Sequence, residues 1–176
     1  MEFMDVVVTR KSVRDYSDKP VEEEKLKQIL EAARLAPSWA NKQCCKYIVV
    51  KDKAKIEALA DQRAWLKKAP VIVAACADPK DSGNRNGMDY YLVDVGIAMQ
   101  QLILAATSLG LGTCWIGAFD EGKVKKILEV PNNIKVVALT PLGYPSEASA
   151  SSMAARQNVN ADNRKPLSET VHHEKW

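Results

Sequence analysis

Five residues near the N-terminus, Arg10-Lys11-Ser12-Val13-Arg14, are of the types that bind an oxyanion. In a non-helical run, side chains two apart point the same way, so Arg10, Ser12 and Arg14 can converge on one ligand. Two guanidinium forks with a hydroxyl between them suit a phosphate, offering fixed charge and paired donors around a small one. The same residue types also make a solvated basic turn, and these five alone favour that plainer reading.

Three further segments carry polar or glycine-rich chemistry. Pro37-Ser38-Trp39-Ala40-Asn41 is a loop after a helix, where Ser and Asn ordinarily satisfy the turn. Gly110-Leu111-Gly112-Thr113-Cys114-Trp115-Ile116-Gly117 superficially resembles a dinucleotide glycine loop. It runs from helix to strand, however, and that fingerprint needs strand to helix. Gly112 and Gly117 instead allow a ligand close to the backbone. Asn163-Arg164-Lys165-Pro166 is a basic spot in a tail with no other reason to be ordered.

The elements that must position these segments follow from periodicity. Phe3 to Val8 is a short apolar opening of one or two helical turns, and residues 10–20 are extended. Glu22-Glu23-Glu24 starts a helix, because acidic side chains suit its positive end, and Leu26, Ile29, Leu30 and Ala33 form its buried face. Pro37 closes it. Tyr47–Val50 is a strand, Lys53–Gln62 a helix, and Val71–Ala77 a central strand. Asp78–Asn86 is a surface loop. Tyr90–Leu109 is a helix apolar on most faces, so it is expected to be enclosed nearly all round, with Gly110 as its left-handed stop. Thr113–Gly117 is a strand, Asp120–Val130 a short helix, and Val136–Leu142 a strand. Residues 145–176 are too poor in apolar side chains to build a core, although Leu167, Val171 and Trp176 remain to dock onto something.

Composition narrows the function. The 176 residues suit one domain, 47% apolar and 27% charged. A net charge of +3 is too balanced for nucleic acid to be the main partner. The apolar region Tyr90–Leu111 is broken by Asp94, Gln100 and Gln101, so no membrane span is expected, and no signal peptide is readable at the N-terminus. A cytoplasmic protein follows as the expectation. Cys76 and Cys114 lie in apolar runs and read as reduced, buried thiols. Cys44-Cys45 has no C-x-x-C companion, and the only histidines, His172 and His173, lie in the polar tail, so no metal site is expected. No Ser/His/Asp or Cys/His nucleophilic set is readable.

Taken in order, these segments resemble the nitroreductase family of FMN-dependent oxidoreductases. The resemblance rests on Arg-x-Ser-x-Arg-x-Tyr at 10–16, Ala-Pro-Ser-x-x-Asn-x-Gln at 36–43, Ala-Pro-Val at 69–71, and Asp94 in the long helix. It extends through Gly-Leu-Gly-Thr-Cys-Trp-Ile-Gly at 110–117 to Arg-Lys-Pro-Leu at 164–167, so it covers essentially the whole chain, as in the family's shorter members. It implies a single three-layer α+β domain over 1–176, with a central mixed or antiparallel sheet and helices around a long buried helix. It also implies a homodimer with FMN in the subunit interface and the tail, 145–176, embracing the partner.

Carried over by position, the resemblance implies that Arg10 and Ser12 hold the FMN phosphate, with Lys11 beside them and Arg164 and Lys165 joining. Arg14 lies nearer the pyrimidine edge, where Gln62 or Arg63 adds a contact. Pro37, Ser38 and Asn41, from the partner subunit, border the ring, while backbone N–H groups around Ile116, Gly117 and Ala118 face N5 and the O4 edge. Trp39, in a position often held by a small residue, and Trp65 shape the substrate pocket. Where members often carry Pro-Trp after the glutamine, this chain has Cys44-Cys45.

The implied activity is two-step, ping-pong hydride transfer from NADH or NADPH through FMN to a small electron-poor acceptor such as a nitroaromatic or quinone. The flavin carries the chemistry, and no catalytic side chain or metal is required. A flavin-binding protein of the same fold, with a storage, sensing or flavin-consuming role, is the alternative. A basic module binding anionic partners through residues 10–14 is a third reading, outside the family.

Overall fold

The structure, a computed structural model, describes residues 1–147 and 164–176. Its central element is strand β2 (Val71–Ala77), in which every residue is buried. Alternate side chains face opposite ways, so Val71, Val73, Ala75 and Ala77 enter one apolar cluster. Ile72, Ala74 and Cys76 enter a second cluster on the other face. A strand buried on both faces needs cover on both, and the helices supply it.

The first face is covered by α2 (Glu23–Arg34) and α4 (Tyr90–Ser108), which bring Leu26, Ile29, Val95, Met99 and Leu102. The second is covered by α3 (Lys53–Ala60) and α5 (Glu121–Leu128), through Ile56, Leu59 and Val124. Both of these short helices start on an aspartate cap: Asp52 accepts from Lys55 N–H at 2.8 Å, and Asp120 from Lys123 N–H at 3.0 Å. The remaining helix, α1 (Phe3–Thr9), lies against α4.

Three strands join β2: β1 (Cys45–Val50), β5 (Gly112–Thr113) and β6 (Lys135–Gly143), in the order β1-β2-β6-β5, all antiparallel. A small hairpin, β3 (Asn84–Arg85) with β4 (Met88–Asp89), stands apart within the polar loop before α4. The result is the three-layer α+β architecture expected, with an antiparallel sheet. The segment 148–163, half of the expected dimer-embracing tail, lies outside the described residues.

Two elements differ from expectation. The strand predicted over Thr113–Gly117 is hydrogen-bonded only at Gly112–Thr113, and the pairing returns at Ile116, opposite Leu139. The register does not change across the gap. Cys114 stands opposite Pro141, which has no N–H to donate, so the ladder is broken there by chemistry rather than by a shift.

The second difference is α4. Val95, Ala98, Met99, Leu102, Ile103 and Ala106 are buried, but Leu92 is 49% exposed and Val93 and Ile97 are exposed beside it. The layers of one chain cover one stripe of this helix and leave its N-terminal outer face open. By length and composition α4 could cross a membrane, but its packing makes it a core helix. It stops as predicted: Gly110 takes φ +78°, and Leu111 N–H donates to the Ala106 carbonyl at 2.9 Å.

Leu102 has no exposed surface where α4 meets the sheet. Leu102→Ala should therefore destabilise the protein by about 2–5 kcal/mol in denaturant unfolding. A loss near zero would mean that α4 is not packed as described.

Candidate functional site

The chain leaving α1 docks onto β5. Ser12 pairs with Thr113 in a parallel bridge, and Val13 N–H donates to the Thr113 carbonyl at 2.8 Å. This approach requires Gly112, because a Cβ there would come within 2.6 Å of the Val13 side chain. Val13 is buried, and the buried Tyr16 hydroxyl donates to the Val13 carbonyl at 2.7 Å. With Val13 turned inward, its neighbours turn the other way. Ser12 and Arg14, both half-buried, reach the Cys114 thiol, as the alternation of an extended run predicts. Burial pushes that thiol's pKa up, and the Arg14 charge and the Ser12 contact oppose the rise.

Beyond Cys114 the chain turns outward. Trp115 is exposed, Ile116 is buried and held to Leu139, and Gly117 and Ala118 lie in the open. Among the described residues, the N–H groups of Gly117 and Ala118 donate to no protein acceptor. Arg63 closes this corner by donating to the Ala118 carbonyl. The turn carrying Arg63 is fixed by Asp61, at φ 53°, whose carboxylate meets Lys123 Nζ at 2.5 Å. The sequence does not separate Arg63 from Gln62, since adjacent polar residues in a turn give no pattern to distinguish them.

Arg10 sits half-buried at the end of α1, and Lys11 is exposed. Among the described residues the Arg10 side chain has no hydrogen-bonding or ionic partner. Arg164 and Lys165 are exposed, and no hydrogen bond or ion pair joins them to residues 10–14 among the described residues. Trp65 is half-buried against the α3 and α5 side of the core.

Pro37, Ser38 and Asn41 lie on a different part of the molecule, beside α2 and α4. The Ser38 hydroxyl accepts from Gln43 N–H at 2.8 Å, and the Gln43 side-chain amide donates to the Asn41 carbonyl at 3.1 Å. The Trp39 backbone N–H donates to buried Asp94 at 2.8 Å. The Trp39 ring packs over Tyr90 at 4.2 Å between centroids and against Gly83, so it is held rather than free in a pocket. Pro37 and Ser38 also border a groove of about 550 Å³ between α2 and β1, floored by Leu26, Leu30, Tyr47 and Val49. One chain therefore brings residues 10–14 to 112–118 and keeps 37–41 elsewhere.

The four cysteines are free thiols. Cys44 is fully buried and donates to Asp94 at 3.3 Å; burial raises its pKa to about 12. Cys45 is half-buried, and burial raises its pKa as well. No group of three or more His, Cys, Asp or Glu suited to a metal occurs among the described residues.

A three-layer α+β protein with an open basic donor cluster is the class these features define. The family described as "Putative TM nitroreductase" matches residues 2–176. The chain is 32% identical, over 99% of each sequence, to an Archaeoglobus fulgidus protein described as "Putative NADH dehydrogenase/NAD(P)H nitroreductase". A nitroreductase family protein from Clostridium difficile 630 superposes with a TM-score of 0.86 at 30% identity, over 100% of both chains. An FMN-dependent nitroreductase from Clostridium difficile R20291 superposes with a TM-score of 0.79 at 29% identity, over 98% of this chain and 99% of that one. The chain belongs to the nitroreductase family of flavin oxidoreductases.

With its pKa near 12, Cys44 is a thiol and not a thiolate at neutral pH. Iodoacetamide at pH 7.5 should leave it unlabelled in the folded protein and label it after unfolding, as read by peptide mass mapping. Rapid labelling of the folded protein would show that the 38–43 loop opens.

Proposed function

We propose that this protein binds FMN between two subunits and passes hydride from NADH or NADPH to a small electron-poor acceptor, a nitroaromatic or quinone. The observation that carries the reading is the donor set at the 10–14 and 112–118 junction. Ser12 and Arg14 both reach the Cys114 thiol, and the N–H groups of Gly117 and Ala118 have no protein acceptor among the described residues. That set fits a phosphorylated, electron-accepting ring: charge and forks for the phosphate, backbone donors for the ring edge.

Arg10, Lys11 and Ser12 hold the phosphate, and Arg164 and Lys165 of the tail close over it. Arg14 stands nearer the pyrimidine edge, where Arg63, already fixed to the Ala118 carbonyl, adds positive potential. Backbone N–H groups at Ile116–Ala118 orient the ring without a side chain to block its reacting face. Gly117 leaves that face open, since a Cβ there would meet only the Trp115 indole, at 3.6 Å. When bound, FMN supplies the hydride chemistry itself. Trp39 and Trp65 shape the space for the acceptor.

Pro37, Ser38 and Asn41 reach the ring from the partner subunit. Two open apolar surfaces support a dimer: Phe3, Met4 and Val8 on α1 with Leu92, Val93 and Ile97 on α4, and Leu167 and Trp176 in the tail. A contact covering them is of the obligate class, roughly 2,000 Å² or more.

Purified protein should be yellow, release FMN on denaturation, sediment as a dimer, and oxidise NADH or NADPH when a quinone is added. Arg10→Ala should weaken FMN binding about tenfold to a hundredfold in fluorescence titration, the loss of one or two charge-assisted bonds. A colourless protein unchanged by added FMN would sink the flavin reading. Bound FMN with no nicotinamide turnover would keep the site and point to a storage or sensing role.

A further inference from the structure

The geometry points to Asp94 as a positioning residue that ties the ring-bordering loop, 37–43, to the loop before α4, 78–89, so that the two act as one unit. The inference rests on the reading above that Ser38 and Asn41 border the flavin of the partner subunit.

Asp94 is 2% exposed, in the second turn of α4, and no cation pairs with it among the described residues. A buried carboxylate without a counter-charge is costly unless donors surround it. Three do, one from Trp39 in the 37–43 loop, one from Cys44 just after it, and one from the loop before α4. Trp39 N–H donates to Oδ1 at 2.8 Å, the Ser82 hydroxyl to Oδ2 at 2.8 Å, and the Cys44 thiol to Oδ2 at 3.3 Å. A neutral acceptor would be cheaper to bury. The charge strengthens each bond, which suits a group that must hold loops in place.

Two independent features show why they need holding. Ala40, Asn41 and Gln43 all have positive φ, at 46°, 55° and 55°, a conformation that Asn adopts readily but that Ala and Gln keep only when their surroundings impose it. Asp94 grips both ends of that strained stretch, at Trp39 and at Cys44. The second feature is the fit of Trp39 into the other loop. A Cβ at Gly83 would lie 2.3 Å from the indole, so glycine is required there by the close approach of the ring. Lys42 Nζ adds a bond to the Ser82 carbonyl at 3.3 Å, and Lys46 meets Asp81 at 3.8 Å. A change in the 78–89 loop is therefore felt at Ser38 and Asn41.

The test uses the full chain loaded with FMN, in the variants Ser82→Ala, Ser82→Thr and Asp94→Asn. The readouts are FMN affinity, visible circular dichroism of the bound flavin, and the separate kcat and KM values for a quinone. Arg10, Ser12 and Arg164 are untouched by these changes, so FMN affinity should move by no more than about threefold. Ser82→Ala and Asp94→Asn should shift the flavin dichroism and lower kcat for the quinone about tenfold to a hundredfold, as a misplaced ring border would. Ser82→Thr keeps the hydroxyl and should restore both. Wild-type dichroism and kinetics in Ser82→Ala, with or without a lower Tm, would overturn the proposal, and that variant decides if Asp94→Asn does not fold. A wild-type protein that takes up no FMN overturns the flavin reading and this inference together. Yellow wild type beside indistinguishable variants overturns this inference alone.

Discussion

Strand β2 is apolar on both faces, and most of the architecture follows from the need to cover it twice. Helices α2 and α4 cover one face, and α3 and α5 the other, so a third layer is obligatory. The small side chains of the Ala74-Ala75-Cys76-Ala77 run leave room for those layers to pack closely against the sheet. Once α4 is committed to the sheet on one side, its apolar residues Leu92, Val93 and Ile97 stay exposed on the other. The same requirement that makes the core leaves an open apolar face next to it.

The polar chemistry is sorted around that core. Positive donors gather where residues 10–14 run beside β5, on a strand interrupted by Pro141. The break frees Cys114 and Trp115 from the ladder before Ile116 rejoins it opposite Leu139. The buried negative charge, Asp94, lies on α4 and faces the 37–43 and 78–89 loops. These two centres belong to different surfaces of one chain.

Much of this was legible in the sequence. The helices and the central strand follow from spacing at three to four and from β-branched runs, because burial on one face imposes that period. Gly110 was readable as a helix stop, since only a left-handed residue closes the turn cheaply. The ordered motifs at 10–16, 36–43 and 110–117 were enough to place the chain in its family.

Other features had no local signal. Ser82 sits in a loop rich in Asp, Gly and Asn, where one more serine looks like solvent-facing chain, yet it is buried against Asp94. Arg63 gains its place only because the fold brings it 55 positions along the chain to the Ala118 carbonyl. The gap in β5 came from a proline on a strand more than 20 residues away. The open N-terminal outer face of α4 could not be read from its hydropathy, which records that a face is apolar without saying what will cover it. Sequence alone determined the elements and the family, because both depend on neighbours along the chain. Only the tertiary structure decided which polar groups meet and which apolar faces stay open, because those depend on contacts between residues distant in sequence.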